Sequence, residues 1–458
     1  MAKRQAGAGP VKHIAVVGAG WAGCAAAVEL SRLGHQVTLF EAARTLGGRA
    51  RRIEADGRRL DNGQHILLGA YTETLRLLAL VGQAPEKVLL NLPLQMRYVP
   101  GAGGMDFIAP RWPAPWHLAA ALLRAKGLAR ADKMALARFS SAARWMGWQL
   151  HRDCSVSELL ERFDQTPRLI QLMWRPLCLA ALNTPPERAS AIVFLNVLRD
   201  SLGAKKRRAS DMLIPKADLS ALLPDAAAAF VEQHGGTLRS ASKVETLRRH
   251  DDGQWHIGVR GAAAEESLRF DGVVLAAPAS QAAVLLNQLP GEQTRPLVAQ
   301  LTAFASEAIT TCYLQYDPGV RLDWPFFALI DDPQQYQWGQ FVFDRGQLDA
   351  SQAGLLAVVI SASGAAAEQG QALLAEAVAV QLAVAFQRPE LGQPSWFQVI
   401  TEKRATFACA PGLSRPANAS GWPGLALAGD YTSSDYPATI EAAVRSGLAA
   451  AHCLFKTS

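Results

Sequence analysis

No uninterrupted apolar run in this 458-residue chain is long enough to cross a bilayer, although half of its residues are hydrophobic. A helical membrane-spanning protein is thereby excluded, and a soluble enzyme with two or three domains is expected. Cysteine is scarce. Cys24, Cys154, Cys178, Cys312, Cys409 and Cys453 lie far apart and outside any metal-ligand spacing. No metal site is expected, and the thiols read as reduced, mostly buried groups of a cytoplasmic protein. Residues 1–10 lack an apolar centre and read as a disordered lead-in rather than a signal peptide. Repeats and low-complexity segments are missing. The 46 basic residues barely exceed the 40 acidic ones, the arginines are dispersed, and no nucleic-acid-binding module is present, so nucleic acid is excluded as a partner.

What is present begins at His13. The β-branched run His13–Val17 breaks into Gly18-Ala19-Gly20-Trp21-Ala22-Gly23, and an Ala-rich stretch follows. That order is strand, tight turn, helix. Gly18 permits the turn, Gly20 leaves space for backbone to approach a pyrophosphate, and Gly23 lets the helix close on the strand. The helix N-terminus offers free N–H groups and partial positive charge to phosphate, with Ala19 in the same turn. A second strand, Gln36–Phe40, ends at Glu41, where an adenosine ribose needs an acceptor for its hydroxyls. Arg44-Thr45-Leu46-Gly47-Gly48-Arg49 comes next. The paired glycines allow close backbone approach, and Arg49 suits a pyrophosphate or the edge of a flavin ring.

About four hundred residues later, Leu425–Ala428 reads as a buried strand running into Gly429-Asp430-Tyr431-Thr432. A small-residue helix is expected to start within Pro437–Gly447, with Thr439 and Ile440 at its beginning. The positive end of such a helix favours negative charge beside it. A second Gly-x-Gly-x-x-Gly after a strand is lacking, which argues against a separate nicotinamide domain.

These motifs resemble those of the FAD-dependent amine oxidases and phytoene desaturases. The resemblance spans the whole chain and implies FAD as cofactor. It also implies an α/β fold: an FAD-binding Rossmann-like domain of glutathione-reductase type, with a mixed-sheet and helical substrate domain. The FAD domain is expected from residues 12–90, 206–290 and 406–458, a helical cap from 91–205 and the substrate domain from 291–405. Local expectations are a strand at Arg49–Ile53, a helix at Ala221–His234, a strand at Thr237–Val244, a strand within Asp271–Pro278, strands Thr310–Tyr316 and Leu355–Ser361, and a helix near Glu368–Phe386. In the family, a residue at the position of Val244 meets the adenine through its backbone, and the Gly429-Asp430 pair reaches the ribityl or phosphate region.

One segment is more specific. Asp61-Asn62-Gly63-Gln64-His65, with Gly69-Ala70-Tyr71 after it, resembles the squalene-associated subgroup, the hydroxysqualene dehydroxylases, as do Trp174–Thr184 and Thr439–Gly447. The resemblance implies a hydrophobic isoprenoid substrate, hydroxysqualene, reduced to squalene in bacterial hopanoid or carotenoid precursor synthesis. Such chemistry needs an acid beside the allylic hydroxyl, reduced flavin as hydride donor, an apolar channel and exclusion of water. Asp61, Gln64 and His65 are the candidate acid or hydroxyl-orienting residues. His65 is the first choice for proton delivery, with a structural bond to flavin or backbone as its competing role. Asp61 also suits a turn. Gly63 lies in the stretch expected beside the ring. Tyr431, Asp435 and Tyr436 are further candidates, and Trp174 and Phe194 are candidates for lining the channel, with ordinary core, the usual place of aromatic residues at such spacing, as the other reading.

A substrate of ~30 carbons at ~0.8 kcal/mol per methylene carries on the order of 20 kcal/mol of burial energy. Reversible docking on a membrane is therefore expected. Two regions suit it: the Trp- and Arg-rich interval Trp112–Leu150 and the cluster Lys205-Lys206-Arg207-Arg208. Ordinary amphipathic helices with solvated arginines remain the other reading. The rival functions are a carotenoid desaturase or isomerase, an amine oxidase, and a non-catalytic isoprenoid escort. The electron donor is not legible.

Overall fold

The computed structural model describes residues 10–260 and 268–454. Apart from Pro10, the expected lead-in lies outside them. The organising element is a five-stranded, all-parallel sheet in the order Thr237–Arg239, Gln36–Phe40, His13–Val17, Gly272–Leu275, Leu425–Leu427. Its central strands are nearly continuous runs of buried residues, as a sheet covered on both faces requires. The first strand is flanked by strands whose paired residues lie 23 and 258 positions away in sequence (Ile14 with Val37 and Gly272), so the chain leaves this sheet and returns to it repeatedly. On one face lies the helix Trp21–Arg32, buried along almost its whole length. Its alanines and glycine let the C-terminal helix Ile440–Cys453 and the helix Pro224–Gln233 pack closely against it.

A second, antiparallel five-stranded sheet follows the order Phe326–Ala328, Phe341–Asp344, Leu355–Ser361, Ser306–Gln315, Trp396–Phe407. Alternation sorts its faces. Cys312, Leu314, Val342, Leu356 and Val358 pack under the helix Gln371–Phe386. Tyr313, Phe341, Phe343, Ala357 and Val359 face the opposite way, into the cluster that also holds the helical region's Phe139, Leu172, Trp174 and Phe194.

Several local expectations are corrected. The strand expected at Arg49–Ile53 is the hairpin Arg52–Ala55 with Arg58–Asp61. Gly47 and Gly48, both at positive φ, hold Arg49 in the preceding loop. The strand expected over Thr237–Val244 is two strands in different sheets, because Ala241 turns at φ +51° and the chain wraps the end of the Glu41 strand. There Ser242 N–H donates to Glu41 O at 2.7 Å and Ala241 N–H to Ala43 O at 3.0 Å. The helix expected at Ala221–His234 is split at Leu223 into Leu219–Leu222 and Pro224–Gln233, since Pro224 has no N–H to continue the first piece. The start of the expected helical cap, from residue 91 to 108, instead holds the end of the strand Leu89–Leu92 and the strands Gln95–Arg97 and Asp106–Ile108. Helix dominates only from Trp116.

Candidate active site

At the carboxyl ends of the parallel strands, the turn after His13–Val17 is shaped by contacts that admit no side chain. Gly18 sits at φ +106°, and a Cβ there would lie 2.6 Å from Ala276 O. A Cβ on Gly23 would lie 1.8 Å from Gly18 O. Gly20 differs: its Cβ would meet only Gly48 Cα, at 3.8 Å, so the ground above it is open. The helix starts at Gly20 with no side-chain cap, which leaves its first N–H groups to an external acceptor. Gly47 N–H donates to Ala19 O at 2.9 Å and ties the paired-glycine loop to this turn. Glu41 stands at the end of the neighbouring strand. Its carboxylate accepts from Ala19 N–H at 2.8 Å and Ala43 N–H at 2.9 Å, fixing two oxygens beside the turn. Val244 is buried where the chain re-enters a sheet, just after the Ser242 contact to Glu41.

The far end of the chain arrives at the same place. Arg49 Nη2 donates to Asp430 Oδ1 and Nη1 to Ala405 O, both at 2.6 Å. The Asp430 carboxylate raises the guanidinium's pKa. Gly429 leaves room for the Tyr431 ring, since a Cβ there would lie 2.3 Å from Tyr431 Cε1. The Tyr431 hydroxyl is buried without a hydrogen-bond partner among the described residues. Thr439 caps the last helix by accepting from Ala442 N–H at 3.2 Å, and the N–H groups of Ile440 and Glu441 have no acceptor among the described residues. Sequence reasoning missed Arg415, whose guanidinium donates to the carbonyls of Asp430, Ser434 and Tyr436 at 2.6, 3.0 and 2.7 Å and sets the course of this loop.

Between these two ends lies the segment Asp61–His65. Asp61 is buried and accepts from Leu219 N–H at 2.8 Å, with Arg345 Nη2 3.9 Å from its other oxygen. Burial pushes its carboxyl up to about 6, against the pull of Arg345. Gln64 bridges two groups that the sequence did not flag. Its amide donates to the Tyr313 hydroxyl at 2.7 Å, and its carbonyl accepts from Arg345 Nη1 at 2.9 Å. Tyr313 in turn donates to Asp61 O at 2.8 Å. The only hint of Tyr313 was alternation along its strand, and a lone Arg345 after an apolar strand carried no signal. His65 Nδ1 lies 3.1 Å from Gly63 O, and burial lowers the imidazole's pKa, so the neutral ring donates from Nδ1 and leaves Nε2 open. The Thr311 hydroxyl, buried and unpartnered among the described residues, faces the same Gly63.

Other candidates are placed elsewhere. Asp435 is largely exposed and pairs with Arg199, and Tyr436 packs under Arg445. Trp174 and Phe194 are fully buried in an aromatic core with Phe139, and Trp174 Nε1 donates to Gln165 Oε1 at 2.9 Å. They form core, not a channel wall, because each ring's surface is already taken by other rings. No group of three or more His, Cys, Asp or Glu among the described residues could hold a metal ion.

The residues fit FAD. A capless helix N-terminus and an open glycine would meet the pyrophosphate, Glu41 the ribose, and Arg49, the orphaned Tyr431 hydroxyl and the free N–H groups at Ile440 the remainder. The chain belongs to the family described as flavin containing amine oxidoreductase, whose profile matches residues 21–454. It is an FAD-dependent oxidoreductase with the α/β fold of that family. Within the family it is similar to the hydroxysqualene dehydroxylases of Rhodopseudomonas palustris, at 30% identity, and Sinorhizobium fredii, at 28%, each over 96% of this chain and 97% of the relative. It is 24% identical to the zeta-carotene desaturase of Synechocystis over 96% of this chain and 97% of the relative. Among solved structures, putrescine oxidase superposes with a TM-score of 0.70 at 16% identity, covering 97% of this chain and 99% of that one.

Proposed function

We propose that the chain reduces hydroxysqualene to squalene, replacing an allylic hydroxyl by hydrogen during the synthesis of hopanoid precursors. One observation carries the reading. The Asp61–His65 segment with Tyr313, Thr311 and Arg345 forms a compact polar group, and Leu60, Ile66 and Tyr431 beside it belong to one apolar cluster with Phe326, Phe341 and Phe343. A long hydrocarbon with a single polar carbon asks for that distribution. Bound FAD, once reduced, supplies the hydride. The chain's own residues bind and orient the alcohol, deliver a proton to its oxygen and keep bulk water from the resulting cation. Gln64 holds the hydroxyl side of the site in register through Tyr313 and Arg345. His65 delivers the proton, acting from its minority imidazolium form.

The lowered pKa fixes the sign of the pH dependence. The competent protonated ring is populated below an inflection under 6.5, so turnover should fall as pH rises through it. His65→Gln should keep its flavin, lose that inflection and lose ~10²–10⁴-fold in turnover. Full turnover in the variant would remove the proton-delivery role. The second reading, a carotenoid desaturase, is favoured by the similarity to zeta-carotene desaturase. Product analysis separates the two: incubation with hydroxysqualene should give squalene, and incubation with zeta-carotene should give no further desaturated polyene. The proposed substrate partitions into lipid, so the reading brings with it reversible membrane contact, as well as an unidentified donor that reduces the flavin.

A further inference from the structure

The helices Trp116–Arg124 and Arg130–Trp145 turn apolar residues to both sides. Inward, Ala121, Ala135, Leu136, Phe139 and Ala143 join the cluster that extends to Tyr313 and Phe343. Outward, Trp116 and Leu123 lie seven residues apart on one face, 67% and 76% exposed, and Met134 and Trp145 lie on the outer face of the second helix, Trp145 at 90%. These four side chains leave more than half of their surface outside the core.

Charge is segregated on the same surface. From Arg111 to Arg152 there are eight Lys or Arg residues and a single acid, Asp132, which is buried and accepts from Ala129 N–H and the Thr166 hydroxyl. The rest of the chain is close to neutral, with 38 basic against 39 acidic residues once this interval is subtracted from the totals of 46 and 40. The two basic regions that the sequence left as alternatives are joined in space. His117, on the first helix, lies 3.4 Å from the Ser210 hydroxyl in the short helical turn Arg207–Ser210, and the charges of Arg207 and Arg144 both act on it. Lys133 Nζ donates to Leu123 O at 2.9 Å, which connects the two helices' exposed faces.

We propose that this surface, Trp116, Leu123, Met134 and Trp145 within a field of Lys and Arg that includes Lys205 and Arg208, docks the enzyme on an anionic lipid bilayer. The aromatic and aliphatic groups enter the headgroup boundary and the cations meet lipid phosphates. The inference deepens the isoprenoid reading, since it puts the apolar cluster against the phase that holds such a substrate, but its test does not use that substrate.

The flavin-loaded protein is mixed with phosphatidylcholine vesicles with and without phosphatidylglycerol and floated on a density gradient. It should float with the anionic vesicles, less so as salt rises. A Trp116→Ser/Leu123→Ser/Trp145→Ser variant with unchanged flavin absorbance should bind them about tenfold more weakly. A Leu373→Ser/Val384→Ser variant, altered at exposed apolar residues of the helix Gln371–Phe386, should float like the wild type. Wild-type protein that stays free of both vesicle types overturns the proposal, as does a triple variant that floats unchanged or a loss confined to the Leu373/Val384 variant. A wild-type dimer that the triple variant converts to monomer, with no vesicle binding, makes a second copy the occupant and also overturns it. Failure to convert hydroxysqualene would leave the flotation result standing and would count against the substrate alone.

Discussion

Gly447→Val should leave the protein without bound flavin. Gly447 lies on the C-terminal helix where it crosses the helix Trp21–Arg32, and a Cβ there would sit 2.1 Å from Ala22 O and 2.9 Å from Ala25 Cβ. The obstacle is backbone, so no rotamer relieves it and the two helices must separate. Overpacking of this kind costs ~1–3 kcal/mol in ordinary cores, and contact with a fixed carbonyl belongs at or above the top of that range. The displacement moves Thr439, Ile440 and the helix N-terminus away from the Gly18–Gly23 turn. A loss of ~3 kcal/mol in binding corresponds to about a hundredfold in FAD affinity. Gly447→Ala should show the same loss in smaller degree. Gly364→Ala, where nothing lies within 4 Å, should be neutral or slightly stabilising. The flavin-to-protein absorbance ratio after gel filtration reads all three. Full flavin content in Gly447→Val would mean that the helix crossing does not set the site.

Arg345→Met should be the most destabilising single change beneath the site. Arg345 is buried and donates to Gln64 and Gln352 while standing 3.9 Å from the Asp61 carboxylate. Removing it strands a buried carboxylate, which costs ~3–5 kcal/mol when a buried pair is broken on one side. Asp61→Asn added to it keeps an acceptor for Leu219 N–H without the charge, so the double variant should recover most of the loss.

The linkage has a definite sign. The folded-state pKa of Asp61 lies at about 6, above its ordinary 3.8, because burial disfavours the carboxylate. The folded state therefore holds the proton more tightly. The stability this contributes is complete below about pH 4 and is lost as pH rises through about 6, a change of ~3 kcal/mol. The penalty of Arg345→Met should accordingly shrink as the pH falls through that window, where a protonated Asp61 needs no counter-charge. Urea midpoints at pH 4, 5, 6 and 7 test this. An unchanged midpoint at pH 7 would show that Gln64 and Gln352 alone hold the network.

The parts of this molecule that were legible in its sequence are those whose physics is local. A β-branched run into Gly18, an acidic strand end at Glu41 and a buried strand into Gly429-Asp430 each advertise a backbone requirement within a few residues, and the fold class followed from them. What was not legible depends on distant partners. Tyr313 and Arg345 matter because an antiparallel sheet brings them to Gln64, more than 240 residues away in sequence. Arg415 matters through three carbonyls of a loop that folds back on it. Trp174 and Phe194 stayed open between channel wall and core for the same reason, since an aromatic residue reads alike in both. The strand break at Ala241 and the helix break at Leu223 were missed because periodicity registers burial but not a left-handed residue or an absent N–H.

The central claim is tested most directly under anaerobic conditions. The flavin is photoreduced, hydroxysqualene is added, and flavin reoxidation and lipid product are followed together. Stoichiometric squalene formed in step with flavin reoxidation is the predicted result. A flavin that stays reduced beside unchanged alcohol would contradict reductive dehydroxylation and turn the assignment toward desaturation of a polyene.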